Sequence, residues 1–243
     1  MNKPIIGIIT PRKTDEKNIW ENYIKFSSYF PKKILKAGGI PVGILFPNGK
    51  FIKQHMDMCD GFLLQGGSII ESAQVNVIHY ALEKKKPILG ICLGMQTIAA
   101  YEWFKCELGD TISSRIIDKT FKPEFEQFFL KLKKGHNYDP NTFDELSSAK
   151  HIVTFERGTK AYEIFGRQTK MPSIHNFIVN EEVFKDSNQF IISGRSLDHS
   201  PEAIETKEDE PWIVGLQFHP ELEDNLEPFK MLVKKASEGD VTK

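Results

Sequence analysis

The stretch Lys86-Pro87-Ile88-Leu89-Gly90-Ile91-Cys92-Leu93-Gly94-Met95-Gln96 constrains this chain more than any other. Pro87 to Gly90 carry no charge, as in a buried parallel strand. From Met95 onward the spacing turns helical, with Met95, Ile98, Ala99 and Trp103 on one face. Cys92 sits at the switch between the two periods. Its neighbours Gly90 and Gly94 suit a sharp strand-to-helix turn, because glycine has no Cβ to clash where backbones crowd. The pattern G-x-C-x-G is the cysteine counterpart of the nucleophile elbow G-x-S-x-G. It also sets the sulfur at a helix N-terminus, where the helix dipole favours negative charge. Free cysteine is equally a common core residue, so the elbow alone does not make Cys92 a nucleophile.

With 243 residues the chain has room for a large α/β core. A net charge of −1 gives no general attraction to nucleic acid or to an anionic membrane. The Lys-rich pieces, Lys84 to Lys86 and Lys131 to Lys134, read as solvated helix ends or faces. Three cysteines, Cys59, Cys92 and Cys106, are too few and odd in number for a disulfide framework. The apolar run near the N-terminus is short for a signal peptide, and no run approaches the ~18 residues of a membrane span. A cytoplasmic protein is the expectation.

Read in order, Pro4 to Thr10 is a first buried strand, and Arg12 to Asn18 a polar loop. A helix follows, capped by Ser28, with Phe30, Ile34 and Leu35 turned inward and Pro31 in its first turn. Ala37-Gly38-Gly39 ends it with a left-handed glycine. Ile40 to Phe46 and Gly61 to Gln65 are the next strands, with a short helix over Phe51 to Met58 between them. Ala73 to Lys85 is helical, and the strand before Cys92 is the fourth. Such alternation predicts a parallel sheet with helices on both sides, whose ligands bind beyond the carboxyl ends of the strands. Lys105 to Lys150 reads as an irregular excursion with some helix. After it come short β-like runs at His151 to Phe155, Phe177 to Val183, Phe190 to Leu197, Ala203 to Thr206 and Trp212 to Phe218. These predict antiparallel strands added to the sheet, and Leu222 to Ala236 closes the chain as a helix. With no repeat or linker, residues 1–243 are expected to form a single catalytic domain.

Two further segments fit a cysteine chemistry. The last strand runs into Phe218-His219-Pro220-Glu221, with the proline ending further pairing. A thiol nucleophile needs a base beside it, and a carboxylate then holds the imidazole in one tautomer. Gly66-Gly67 follows the third strand. Its backbone N–H groups, with that of Leu93, could bind the oxyanion of acyl transfer. His219 and Glu221 could equally be surface turn residues, and the two glycines a plain turn. No Cys/His cluster has the spacing of a zinc site, and the chemistry needs no metal or organic cofactor.

Together, Leu64-Gln65-Gly66-Gly67, Gly90-Ile91-Cys92-Leu93-Gly94-Met95-Gln96 and Gly215-Leu216-Gln217-Phe218-His219-Pro220-Glu221 resemble the class I glutamine amidotransferase-like superfamily along nearly the whole chain. A closer resemblance is to the γ-glutamyl-γ-aminobutyrate hydrolase type, the C26 peptidases. It rests on Ala37-Gly38-Gly39-Ile40-Pro41, His151-Ile152-Val153 with Gly158-Thr159, Ser173-Ile174-His175 and Asp198-His199-Ser200-Pro201-Glu202-Ala203-Ile204-Glu205. The resemblance implies an α/β fold with a flavodoxin-like open sheet, mostly parallel, with appended antiparallel strands and helices on both faces. It implies a Cys92, His219, Glu221 triad, an oxyanion hole at Gly67 and Leu93, and a glutamyl-thioester intermediate. Substrate contacts would come from Gly66, Gln96 and His175. Three features depart from the hydrolase type. Leu93 stands where it carries arginine, His175-Asn176 replaces paired histidines, and the segment after Gly67 lacks an acidic, proline-containing insertion.

The function so implied is hydrolysis of γ-glutamyl amides such as γ-glutamyl-γ-aminobutyrate. Two alternatives stand beside it: a glutaminase subunit delivering ammonia to a separate synthase, and a non-catalytic binding protein on the same fold. The partners expected are a small γ-glutamyl substrate, a synthase in the first alternative, and a second copy of the chain in a homodimer. Neither nucleic acid nor membrane is expected.

Overall fold

A computed structural model of the chain describes residues 2–13, 23–108, 130–132 and 149–239. A nine-stranded sheet spans them. Its parallel half comprises β1 (Ile5–Ile9), β4 (Ile40–Ile44), β5 (Gly61–Leu64), β6 (Ile88–Ile91) and β13 (Ile213–Leu216). Its antiparallel half comprises β8 (Lys150–Phe155), β9 (Gln168–Pro172), β11 (Phe190–Ser196) and β12 (Pro201–Thr206). The spatial order is β4-β1-β5-β6-β13-β12-β11-β8-β9. The first five strands thus follow the 2-1-3-4-5 order of flavodoxin-like sheets. Two small pairs stand apart: β2 (Arg12–Lys13) with β3 (Tyr23–Ile24), and β7 (Leu130–Leu132) with β10 (Phe177–Val179).

Strands β5, β6 and β13 are buried throughout, as an apolar strand with helices on both faces must be. One face packs on α2 (Lys53–Asp57), α3 (Ser72–Glu83) and α4 (Leu93–Leu108), through Met56, Phe62, Val75, Ile78, Met95 and Ile98. The other packs on α1 (Tyr29–Lys36), α5 (Lys160–Phe165) and α6 (Glu227–Glu238), through Phe30, Ile34, Leu63, Phe218, Phe229 and Leu232. Each fully buried phenylalanine contributes about 1.5–3 kcal/mol relative to exposure. No helix among the described residues is long and apolar enough to cross a membrane.

Several expectations need correction. Leu35 is 60% exposed rather than inward, while Phe30 and Ile34 are buried. Ser28 makes no side-chain cap to α1. Arg12 and Lys13 pair as a strand rather than looping. Lys86 is not solvated: its Nζ donates to the carbonyls of Met56 (3.0 Å) and Cys59 (2.6 Å), satisfying the end of α2. Phe177–Val179 pairs with Leu130–Leu132 outside the main sheet. The sequence reading also passes over α5 and β9, both short and only half apolar. The excursion read over Lys105 to Lys150 falls largely outside the described residues.

Candidate active site

Cys92 occupies the one-residue joint between β6 and α4, with φ of +53°. An L-residue in this left-handed region costs about 1–2 kcal/mol, so neighbours must hold it there. Its N–H extends the β6–β13 ladder by donating to Leu216 O at 2.7 Å, and its C=O accepts from Gln96 N at 3.2 Å, inside α4. The flanking glycines are required by space. A Cβ on Gly90 would lie 2.8 Å from the Gly94 carbonyl carbon, and one on Gly94 would lie 2.3 Å from Leu64 O. The turn is pressed onto β5, which continues into Gly66-Gly67.

His219 follows β13 and is pinned by its N–H to Pro172 O at 3.0 Å. Its Nδ1 lies 2.7 Å from Glu221 Oε1. Glu221 is buried and, as a carboxylate, only accepts, so Nδ1 carries the proton and donates. That leaves Nε2 buried and outside normal hydrogen-bonding geometry to any acceptor among the described residues. The ring faces the elbow: a Cβ on Gly66 would lie 3.3 Å from His219 Cε1 and 3.5 Å from Cys92 Cβ. Burial, the largest influence on His219, works against its charged form. The Glu221 carboxylate and the Cys92 sulfur outweigh it and hold the imidazole well above its ordinary 6.5.

A cavity of about 390 Å³ opens over the sulfur, lined among others by Gly67, Cys92, Leu93, Gln96, His175 and Phe177. Gly67 packs so closely that a Cβ would lie 2.8 Å from Pro11 Cγ and 3.0 Å from Leu93 Cδ2. The two predicted oxyanion donors therefore border the same space as the thiol. Gln96 borders this cavity with its side-chain amide engaged, Nε2 donating to Phe177 O and to Gln217 Oε1, each at 3.2 Å. Gln217 in turn donates through Nε2 to Cys92 Sγ at 3.6 Å. Gln217 belongs to the quoted motif, yet reading it as one more strand residue hides its role as a direct neighbour of the sulfur. His175 is buried, its Nδ1 2.9 Å from Phe177 O and its Nε2 3.4 Å from Glu202 Oε1. Gly66 lies between His219 and Cys92 and is absent from the cavity lining. The arrangement can do thiol acyl transfer: a sulfur at a helix start, an imidazole held by a carboxylate, and glycine-loop amides beside them.

Comparison with known proteins places the chain in a family. The family model described as "Glutamine amidotransferase class-I" matches residues 32–236. A glutamine amidotransferase-like protein of Rickettsia prowazekii is 29% identical over 96% of this chain and 97% of its own length. A CTP synthase of Maridesulfovibrio salexigens is 29% identical over 72% of this chain, which spans only 34% of that protein. Among solved structures, the glutaminase domain of Trypanosoma brucei CTPS with bound acivicin superposes with a TM-score of 0.64. It is 13% identical and covers 97% of this chain and 94% of that one, a likeness of fold.

Proposed function

This chain belongs to the class I glutamine amidotransferase family, and from that premise we propose that it hydrolyses γ-glutamyl amides through a Cys92–His219–Glu221 triad. The observation that carries the reading is the Glu221–His219 pair at 2.7 Å, with its ring turned to the Cys92 elbow. The Cys92 thiolate attacks the γ-carbonyl carbon and forms a C–S bond. The N–H groups of Gly67 and Leu93 take the charge of the tetrahedral oxygen. The His219 imidazolium gives its Nε2 proton to the leaving nitrogen as the C–N bond breaks, which leaves a glutamyl thioester. Neutral Nε2 then takes a proton from water, whose oxygen attacks the thioester. The C–S bond breaks, the glutamyl acid departs, and thiolate and imidazolium return. Glu221 holds the ring throughout and itself gains no proton. We read residues 1–243 as one catalytic domain.

γ-Glutamyl amines are the substrate class of this reading, and the hydrolase-type segments quoted above support it. The roomy cavity does so too, since it offers volume beyond the glutamyl group for a leaving amine. A second reading, a glutaminase feeding ammonia to a separate synthase, is favoured by Leu93 at the elbow and by the similarity to CTP synthases. Ile69 and Phe177, both exposed at or beside the cavity lining, would give such a partner apolar surface.

The test is intact-protein mass spectrometry after incubation with glutamine and a panel of γ-glutamyl amines, alongside steady-state amine release. A glutamyl adduct on the wild-type chain that is absent in Cys92→Ala supports the triad. Turnover surviving in a folded Cys92→Ala protein overturns it. Release from γ-glutamyl amines by the isolated chain supports the hydrolase, whereas glutamine turnover that needs an added synthase supports the second reading.

A further inference from the structure

A second cluster of chemistry-bearing side chains stands behind the cavity wall. It joins His151 of β8, His175 just beyond β9 and Glu202 of β12. Strand β11 separates β8 from β12 in the sheet, but its pairing with β8 ends at Ser196 opposite Val153. His151 lies past that end, where β8 and β12 side chains can meet. Glu202 Oε2 is 3.2 Å from His151 Nε2, and Glu202 Oε1 is 3.4 Å from His175 Nε2. Ligand atoms of all three lie within 4.8 Å of one another. The two rings stand 6.2 Å apart at 74°.

The tautomer of His175 sharpens the picture. Its Nδ1 faces the Phe177 carbonyl at 2.9 Å and must donate to it. Nε2 is thereby turned to the Glu202 carboxylate, 3.4 Å from Oε1. A proton or a metal ion between the two groups would hold them together. A ring N–H fixed by a backbone carbonyl, with the other nitrogen turned to the ion, is the usual outer support of a metal-bound histidine. Each histidine lies at a ligand-like distance from one oxygen of Glu202, and one ligand atom from each of the three residues falls within 4.8 Å of the others. Metal–ligand bonds of about 2.0–2.1 Å set tetrahedral ligand atoms about 3.3–3.4 Å apart. Two imidazoles and a carboxylate suit zinc and its neighbours rather than magnesium or calcium.

We propose that His151, His175 and Glu202 form a binding site for a divalent transition-metal ion of the zinc class. The fourth position is left to water. The ion enters past His151, which is 23% exposed, while His175 and Glu202 are buried. Bound metal would act on the cavity without joining the chemistry. It would tie down the segment Ser173 to Phe177, whose Ile174 carbonyl lies 3.9 Å from Cys92 Sγ and whose Phe177 carbonyl accepts from Gln96. The three ligands are spread over 151, 175 and 202 on separate strands, so no sequence spacing announces them. The inference does not depend on the amidase reading.

The test uses the full chain carrying Cys92→Ala, stripped with chelator so that the site thiol cannot compete. Cobalt(II) is titrated in and followed by its visible absorption and by calorimetry. One equivalent bound with a four- or five-coordinate nitrogen/oxygen spectrum, displaced by zinc but not by magnesium, is expected. His151→Ala and Glu202→Gln should each weaken binding at least tenfold. Glu202 is buried, so its variant could misfold; the partly exposed His151→Ala, checked by circular dichroism, keeps the result decisive. No cobalt signal, or binding unchanged in His151→Ala, overturns the proposal and leaves a proton-bridged His–Glu–His cluster.

Discussion

Gly94 lies against Leu64 so closely that a Cβ on it would stand 2.3 Å from the Leu64 carbonyl oxygen. That atom is backbone in a buried strand and cannot rotate away. Gly94→Ala must therefore lift α4 off β5. We expect a loss of about 1–3 kcal/mol or more, as for overpacked cores. The elbow and the Gly66-Gly67 loop would shift with it, so activity should fall further than stability. Thermal melts beside amide hydrolysis check this, and an unchanged melting temperature would count against the packing argument.

The second expectation concerns pH. Glu221 and Cys92 hold the His219 imidazolium well above 6.5 in spite of burial. A raised histidine contributes its stability in full below about 6.5, its unfolded value, and loses it as pH climbs through the folded one. Catalysis needs the same imidazolium to protonate the leaving amine. Glu221→Gln removes the charge that raises His219, so the alkaline limb of kcat/KM should move to lower pH. Turnover should drop by about 10²–10⁴-fold, the scale seen for disturbed acid–base partners. An unmoved alkaline limb would place the titration elsewhere.

Much of this was legible in the chain because the parallel half is built from local signals. Gly90, Cys92 and Gly94 announce their joint through chain geometry alone, and Gly38, at φ of +96°, ends α1 where a glycine was expected. The candidate triad could be read for a related reason, since Cys92 directly follows β6 and His219 and Glu221 lie on the short turn after β13. What escaped is tertiary. Leu35 follows buried Ile34 in the chain, yet the turn of the helix carries it off that face and leaves it 60% exposed, while Lys33 takes a buried place instead. Gln217 reads as one more strand residue until Cys92 folds onto it. His151, His175 and Glu202 come from separate strands and meet where the β11–β8 pairing has ended, which no short motif encodes.

Gln217 is a third point of test. Its amide donates to the Cys92 sulfur at 3.6 Å and is itself held by Gln96. Gln217→Glu keeps the shape and replaces a donor by a negative charge. A like charge beside the sulfur disfavours its thiolate, and each ~1.4 kcal/mol of that repulsion slows the thiolate reaction about tenfold. Iodoacetamide alkylation of Cys92 at neutral pH should slow by about that factor, with a matching fall in kcat. Equal alkylation rates in the two proteins would mean the amide does not face the thiolate in solution.

Gly67 offers the last expectation, one on the oxyanion rather than the nucleophile. The space for a Cβ is bounded by the Pro11 ring at 2.8 Å and by Leu93 Cδ2 at 3.0 Å. Leucine can yield, but the proline ring cannot turn aside, so Gly67→Ala must displace the loop and the N–H it carries. The triad itself is untouched. Loss of one preorganised donor costs about 10²–10³ in kcat. The variant should therefore alkylate at the wild-type rate, melt near the wild-type temperature and turn over at least a hundredfold more slowly. Stopped-flow acylation with a chromogenic γ-glutamyl anilide would measure the affected step directly, and a wild-type acylation rate would remove Gly67 from the oxyanion site.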